Sequence, residues 1–349
     1  MKYFKPVYIL IGLFITSFAT IGLLAFISNK ALKKENGFNR RIPAPALILT
    51  KQITLPVKVT KLIGIYSGRL YFQENNPYEI LSTTISLDSL KVIKLPIPPG
   101  KDLGHSICMF LKDQLLYVAL GNVPGIITYD LESGSSYSHI LKTNFNQETL
   151  ISTDQFILRS KDTATQSHRF VKLNINTKDS VMEDNFSDRK IIGGFENAGT
   201  LYYDTTTKQA CYTYFYQNGF ICMDSNLNLT LKARTLDTIT HQNVKVARVG
   251  RSLTMNQPAQ KVSYNGSVSD GKLFLQSMLK ADNEHELDFN ENSIIDIYSL
   301  KNGDYKGSFY ISAYKGEKAH QFQVIGHQLY ALHGKTVLLY DMKTIADLL

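Results

Sequence analysis

From residue 46 onward the apolar positions recur with period two in short runs, and no long stretch shows the 3.6-residue spacing of a helix. Side chains alternate across a strand, so these runs predict β-strands. The runs also repeat in a fixed order. A strand that begins Arg69-Leu-Tyr-Phe recurs as Gln114-Leu-Leu-Tyr-Val, Gln155-Phe-Ile-Leu, Thr200-Leu-Tyr-Tyr, Lys272-Leu-Phe-Leu and Gln328-Leu-Tyr-Ala. Each follows a turn residue: Gly68, Asp113, Asp154, Gly199, Gly271 or His327. The repeats lie 45, 41, 45, 72 and 56 residues apart. Four short strands with their turns need about 40–45 residues, the length of one propeller blade.

A third strand recurs as well, in Glu79-Ile-Leu-Ser-Thr-Thr-Ile, Gly125-Ile-Ile-Thr-Tyr-Asp, Arg169-Phe-Val-Lys-Leu, Gly219-Phe-Ile-Cys-Met, Ser293-Ile-Ile-Asp-Ile-Tyr and Thr336-Val-Leu-Leu-Tyr-Asp. Polar turns such as Glu132-Ser-Gly134 and Lys301-Asn-Gly-Asp304 follow, and then an outer strand. The last unit stops eight residues after Asp341, too early for its own outer strand. The run Ala46–Leu55 precedes the first unit and has no other partner, so it is expected to close the ring as the outer strand of the last blade. The predicted fold is all-β, a six-bladed β-propeller over residues 46–349 closed by an N-terminal strand. The 72-residue interval leaves room for a seventh blade.

Ahead of the repeats, Val7–Ile27 is an uncharged apolar run preceded by Lys2 and Lys5. At about 1.5 Å per residue it crosses a hydrocarbon core of about 30 Å. It exceeds the apolar region of a signal peptide and is followed by no small-x-small cleavage site, so an uncleaved transmembrane helix over residues 7–28 is expected. Residues 1–6 form a cytoplasmic tip, and residues 29–45 a polar, basic spacer ending in Pro43-Ala-Pro45.

Charge enters the picture through its position. The net charge is +8, yet residues 1–41 hold seven Lys or Arg against one Glu, which leaves the rest of the chain near neutral. Phosphate contacts supply most nucleic-acid affinity, and they require basic charge on the folded domain. Nucleic acid is therefore excluded as a partner. Five Lys or Arg follow the apolar run within 14 residues, so a bare positive-inside count places the domain in the cytoplasm.

Candidate chemistry changes little. Cys108, Cys211 and Cys222 show no metal-ligand spacing. With Asn218-Gly219 at a hairpin tip, Cys222 would face Phe215 and Cys211 would face Asn226, so free buried thiols are expected. Gly334-Lys335-Thr336 imitates the end of a phosphate-binding loop, but position 329 is Leu where the first glycine is needed. The acidic run Asp282–Asp288 is read as solvated charge at a hairpin tip, and His320, His327 and His333 as histidines spread over different ends of a blade. The interval after the fourth unit is the least regular part of the chain. There Arg248, Arg251, Asn256 and Lys261 form either a cationic ligand-binding loop near the central channel or a solvated connector.

The strand grammar of residues 46–349 resembles the six-bladed propeller proteins tethered in the envelope of Gram-negative bacteria. Ile295–Ile311 and Phe322–Tyr330 carry it most clearly. The resemblance implies a periplasmic interaction or sensing module on the inner membrane and brings no catalytic residues with it. The expectation is a non-enzymatic, membrane-anchored module for a protein, peptide or glycan of the envelope, with no cofactor. The alternative is a metal-dependent lactonase or esterase-type hydrolase with a site in the central channel, for which Glu196, Asn197, Asn256 and Asn265 are the candidates.

Overall fold

A computed structural model describes residues 4–32, 36–43, 47–98, 101–161, 168–183, 197–240, 244–250, 252–343 and 345. It contains a helix α1 (Phe4–Leu32), a strand β1 (Ile48–Thr54) and then a ring of four-stranded antiparallel sheets. Blade one is β2 (Val59–Tyr66), β3 (Arg69–Glu74), β4 (Glu79–Thr84) and β5 (Leu90–Lys94). Blade two is β6 (Ile107–Lys112), β7 (Leu115–Leu120), β8 (Gly125–Asp130) and β9 (Ser136–Ile140). Blade three is β10 (Phe145–Leu150), β11 (Gln155–Lys161), β12 (His168–Asn174) and β13 (Ser180–Met182). Blade four is β14 (Gly199–Asp204), β15 (Gln209–Tyr214), β16 (Phe220–Met223) and β17 (Leu229–Ala233). A two-stranded hairpin, β18 (Val246–Val249) and β19 (Ser252–Met255), comes next. Blade five is β20 (Ser263–Ser269), β21 (Lys272–Ser277), β22 (Ser293–Ser299) and β23 (Tyr305–Ile311), with a short helix α2 (Glu286–Glu291) inserted. Blade six is β24 (Gln321–Ile325), β25 (Gln328–His333) and β26 (Thr336–Asp341), completed by β1 as its outer strand.

The ring closes as the sequence requires. Strand β1 pairs antiparallel with β26 from Ile48 opposite Asp341 to Thr54 opposite Thr336. The long interval holds the β18–β19 hairpin, and the blades number six.

Period two explains the core. Each blade turns one set of alternate residues to the preceding blade and the other set to the following one, so the hydrophobic core is a ring of clusters between blades. In β15, Ala210 and Tyr212 pack towards blade three, while Cys211 packs with Leu273 and Leu275 of blade five. The closing cluster joins Leu62, Leu70 and Phe72 of blade one to Tyr330, Leu332, Val337 and Leu339 of blade six. Each fully buried aliphatic or phenyl side chain contributes about 1.5–3 kcal/mol. The most buried tyrosines keep a hydroxyl partner. Tyr212 donates to the Asn197 carbonyl at 2.7 Å, Tyr330 donates to Gln328 at 2.8 Å, and the Leu236 amide donates to Tyr298 at 3.0 Å.

Blade four departs from the predicted phase. Thr200-Leu-Tyr-Tyr belongs to its innermost strand β14, and the second strand is β15. Gly199 looked like a turn glycine but lies within the strand, opposite Tyr214. A Cβ there would run into the Thr213 carbonyl and lie 2.9 Å from the Tyr212 ring, so close approach of two strands is the reason for the glycine. The β15–β16 hairpin also differs in register. Its loop is centred before Asn218-Gly219, and Cys211 lies directly opposite Cys222. Both thiols are free and fully buried.

Helix α1 is a candidate transmembrane span over Pro6–Phe26, with none of that window buried against the rest of the protein. Its two threonine hydroxyls are satisfied within the helix, Thr16 bonding the Gly12 carbonyl and Thr20 the Thr16 carbonyl, each at 2.7 Å. The basic spacer is not solvated throughout. Residues 36–41 form a strap along blade five, where Phe38 packs with Val262, Leu279 and Ala281. Arg40 is buried there between Glu284 and Asp296. Burial alone would lower the guanidinium pKa, but the charge and hydrogen bond of Asp296 and the charge of Glu284 raise it above its ordinary value.

The acidic run is the seat of this strap, and this corrects its reading as solvated charge. Asp282 accepts from the Asn36 and Gly37 amides at 2.7 and 2.9 Å. Glu284 accepts from Arg40, from the Ala281 amide and from the Tyr310 hydroxyl.

Candidate functional site: the mouth of the central channel

The six innermost strands β2, β6, β10, β14, β20 and β24 surround the central channel. Around the positions where these strands run towards their second strands, the channel widens into a cavity of about 280 Å³. Every blade contributes to its wall: Lys61 from β2, Phe110 and Lys112 from β6, Thr149 from β10, Tyr202 and Tyr203 from β14, Val268 from β20 and Gln323 from β24.

Local irregularities shape the wall. Strand β2 shifts register between Val59 and Lys61 and again between Leu62 and Gly64. Such bulges re-aim the side chains between them. Gly64 lets blades one and two meet, since a Cβ there would come within 2.7 Å of the Leu111 carbonyl oxygen. Gln73 locks the same two blades, donating to the Ile107 carbonyl at 3.0 Å and accepting from the Met109 amide at 2.9 Å.

Lys61 stands 4.1 Å over the Phe110 ring and donates to Cys108 Sγ at 3.2 Å. Burial pushes the Cys108 thiol up to about 11 against the opposing pull of Lys61, so the sulfur is a thiol at neutral pH and a poor nucleophile. Burial likewise raises the Glu148 carboxyl, with Lys61 opposing. Lys112 donates to the Ile151 carbonyl at 3.4 Å. The cavity wall contains no carboxylate among the described residues, and neither lysine forms a salt bridge among them. The chemistry on offer is two ammonium groups, three aromatic rings, and the hydroxyl and amide groups of Thr149, Thr205 and Gln323.

Of the residues singled out from sequence, Asn256 and Lys261 can be placed in full. Arg248 is in β18 opposite Leu253, and Arg251 lies outside the described residues. Asn256 is exposed, and its amide donates to the Lys245 carbonyl at 2.8 Å. The Lys261 ammonium sits between two rings, 5.0 Å from Phe215 and 4.1 Å from Tyr264. Neither Asn256 nor Lys261 is part of the cavity wall.

Of the donors proposed for a central ion, Asn197 and Asn265 are engaged by other residues. Glu196 lies outside the described residues. Asn197 is engaged by Gln217 through its side chain, and Asn265 donates to the His320 carbonyl at 2.6 Å. Among the described residues no three His, Cys, Asp or Glu are grouped to hold a metal.

The histidines need a correction as well. The β24–β25 register pairs Gln321 with Leu332, which brings His320 and His333 to the same end of blade six, away from His327 at the hairpin. Burial lowers the pKa of both. His320 Nε2 meets the Val59 carbonyl at 2.8 Å, and His333 Nδ1 meets the Glu317 carbonyl at 2.9 Å. They tie loops together at the junction of blades six and one.

Sequence reasoning missed the cavity residues. A signal was present: Lys61 and Lys112 are charged positions inside innermost strands, where apolar residues would pack best. Only the ring brings them together.

Among known proteins, no family model matches the chain and no curated protein matches it in sequence. Solved structures do match in fold. A member of the DUF4221 family from Bacteroides vulgatus aligns with a TM-score of 0.53 at 11% identity, covering 85% of this chain and 97% of the other. An exported-protein candidate from Bacteroides fragilis aligns with a TM-score of 0.50 at 10% identity, covering 84% and 93%. At these identities the likeness extends to the propeller fold.

Proposed function

We propose that this protein is a membrane-anchored binding module that takes its ligand into the mouth of the central channel, with the propeller on the periplasmic side of the inner membrane. The cavity carries the reading: six blades converge on one small, polar and aromatic recess at the ring axis. No metal donor set accompanies it among the described residues, and burial keeps the neighbouring Cys108 thiol a poor nucleophile, so binding accounts for the geometry better than catalysis does. The strap supports a role at the membrane surface. Only residues 33–35 separate α1 from the docked Asn36, a reach of about 14 Å at full extension. That tether holds blade five beside the bilayer.

The test uses the full chain in nanodiscs, screened against envelope glycan fragments and peptides, with Gln323→Trp to fill the cavity. A ligand that binds the parent and is lost in the variant, at unchanged melting temperature, supports the reading. A ligand bound equally by both moves the site elsewhere. Protease access from each side of sealed vesicles checks orientation, and digestion of the propeller from the cytoplasmic side would overturn the periplasmic placement.

A further inference from the structure

The cavity's composition narrows what it holds. About 280 Å³ lies just below the range of ordinary small-molecule sites, which begins near 300 Å³, so there is room for a single ring and not for a folded segment. Lys61 shares the field of the half-buried Glu148. Lys112 faces no carboxylate in the wall among the described residues. The wall therefore presents two ammonium groups, of which Lys112 has no acidic neighbour in it. Around it stand Phe110, Tyr202 and Tyr203, with Thr149, Thr205 and Gln323 supplying hydroxyl and amide groups.

Resting on the channel-mouth reading above, we propose that the ligand is an acidic monosaccharide unit, a hexuronate, whose carboxylate is taken by Lys112 and Lys61. A pyranose ring presents an apolar C–H face and a rim of hydroxyls, and this wall offers aromatic side chains beside polar ones. An aspartate or glutamate side chain carries the same charge but has neither the apolar ring nor the rim of hydroxyls to match that mixture. A neutral hexose matches the rings but leaves the ammonium groups without a counter-charge. Lys61 is already held by Cys108 and Phe110, which fixes its ammonium group before the ligand arrives and reduces the ordering cost of binding.

The experiment titrates the full chain in nanodiscs with glucuronate, galacturonate, glucose and N-acetylglutamate by calorimetry, at low and high salt. A hexuronate is expected to bind at least tenfold more tightly than glucose and to weaken as salt rises. Lys112→Met is expected to reduce its affinity tenfold or more with the melting temperature unchanged. Lys61→Gln is measured beside it, because loss of Lys61 also exposes Glu148 to an unbalanced field and can lower stability. Equal affinity for glucose, or no effect of Lys112→Met, overturns the charge recognition and leaves the channel as a neutral-ligand site. Tighter binding of N-acetylglutamate overturns the sugar in favour of an acidic peptide. If no probe binds, the hexuronate is rejected, and the screen with Gln323→Trp decides separately whether the channel binds another ligand.

Discussion

Arg40 and Asp296 lie 256 positions apart in the chain and meet in a buried ion pair, Nε to Oδ1 at 2.8 Å, with neither side chain more than 5% exposed. Asp296 also accepts from Ser308, and Glu284 completes the ring of charge around the guanidinium. The residue after the membrane helix that most resembles linker is thus a structural part of blade five.

Removing one partner of such a pair leaves buried charges uncompensated, at a cost of about 3–5 kcal/mol. Arg40→Met is expected to destabilise the propeller by that amount in denaturant unfolding. A loss below about 1 kcal/mol would show that the strap is dispensable to the fold.

The strap covers apolar surface as well as charge. A fragment of residues 33–349 is expected to melt higher than one of residues 42–349, and the shorter one to bind more of a hydrophobic dye at Val262, Leu279 and Ala281. Phe38→Ala alone should cost about 3–5 kcal/mol in the longer fragment. Identical melting curves for the two fragments would contradict the docking.

Gly199→Ala tests the corrected phase of blade four. The added methyl would press on the Thr213 carbonyl and the Tyr212 ring, so destabilisation of about 1–3 kcal/mol or more is expected from overpacking. A turn glycine in open space would tolerate the change, and a neutral result would favour the sequence-based assignment.

The cysteines should separate in reactivity. Cys211 and Cys222 are both fully buried, so a thiol reagent is expected to reach them only on unfolding. Cys108, half-buried and with its thiol pushed up to about 11, should react first but slowly at neutral pH and faster as pH rises. Rapid labelling of Cys222 in the native protein would contradict the hairpin register.

The buried histidines should draw stability down on mild acidification, against the opposite pull of Glu148 and Asp237, whose carboxyls burial raises. Burial lowers the pKa of His139, His320 and His333, and burial together with Arg159 and Lys161 brings His168 to about 4 from an ordinary 6.5. Between those values the unfolded chain binds protons that the folded chain excludes, so stability present above about 6.5 is lost as pH drops towards 4. A melting temperature several degrees lower at pH 5 than at pH 7 is expected. His168→Gln should reduce that difference, and an unchanged slope would assign it to other groups.

The sequence by itself determined the repeat, the membrane-length helix and the closing strand, and pointed to six blades with a seventh left open. These depend on period and length, which are local properties of the chain: alternation makes the strands, and an unpaired strand ahead of the first unit completes the last one. The phase of blade four and the Cys211–Cys222 register were not legible, because Gly199 and Asn218-Gly219 carry a turn signal that packing overrides.

The strap and the cavity were decided only by the tertiary structure. Nothing near Arg40 in sequence announces Asp296, and nothing near Lys61 announces Lys112 or Tyr203. Ring closure brings six innermost strands around one axis, and side chains that are unrelated along the chain become neighbours there. The residues chosen from sequence were picked for irregular loop composition, whereas the cavity is built from regular strands, whose pattern records burial and not the company each side chain keeps.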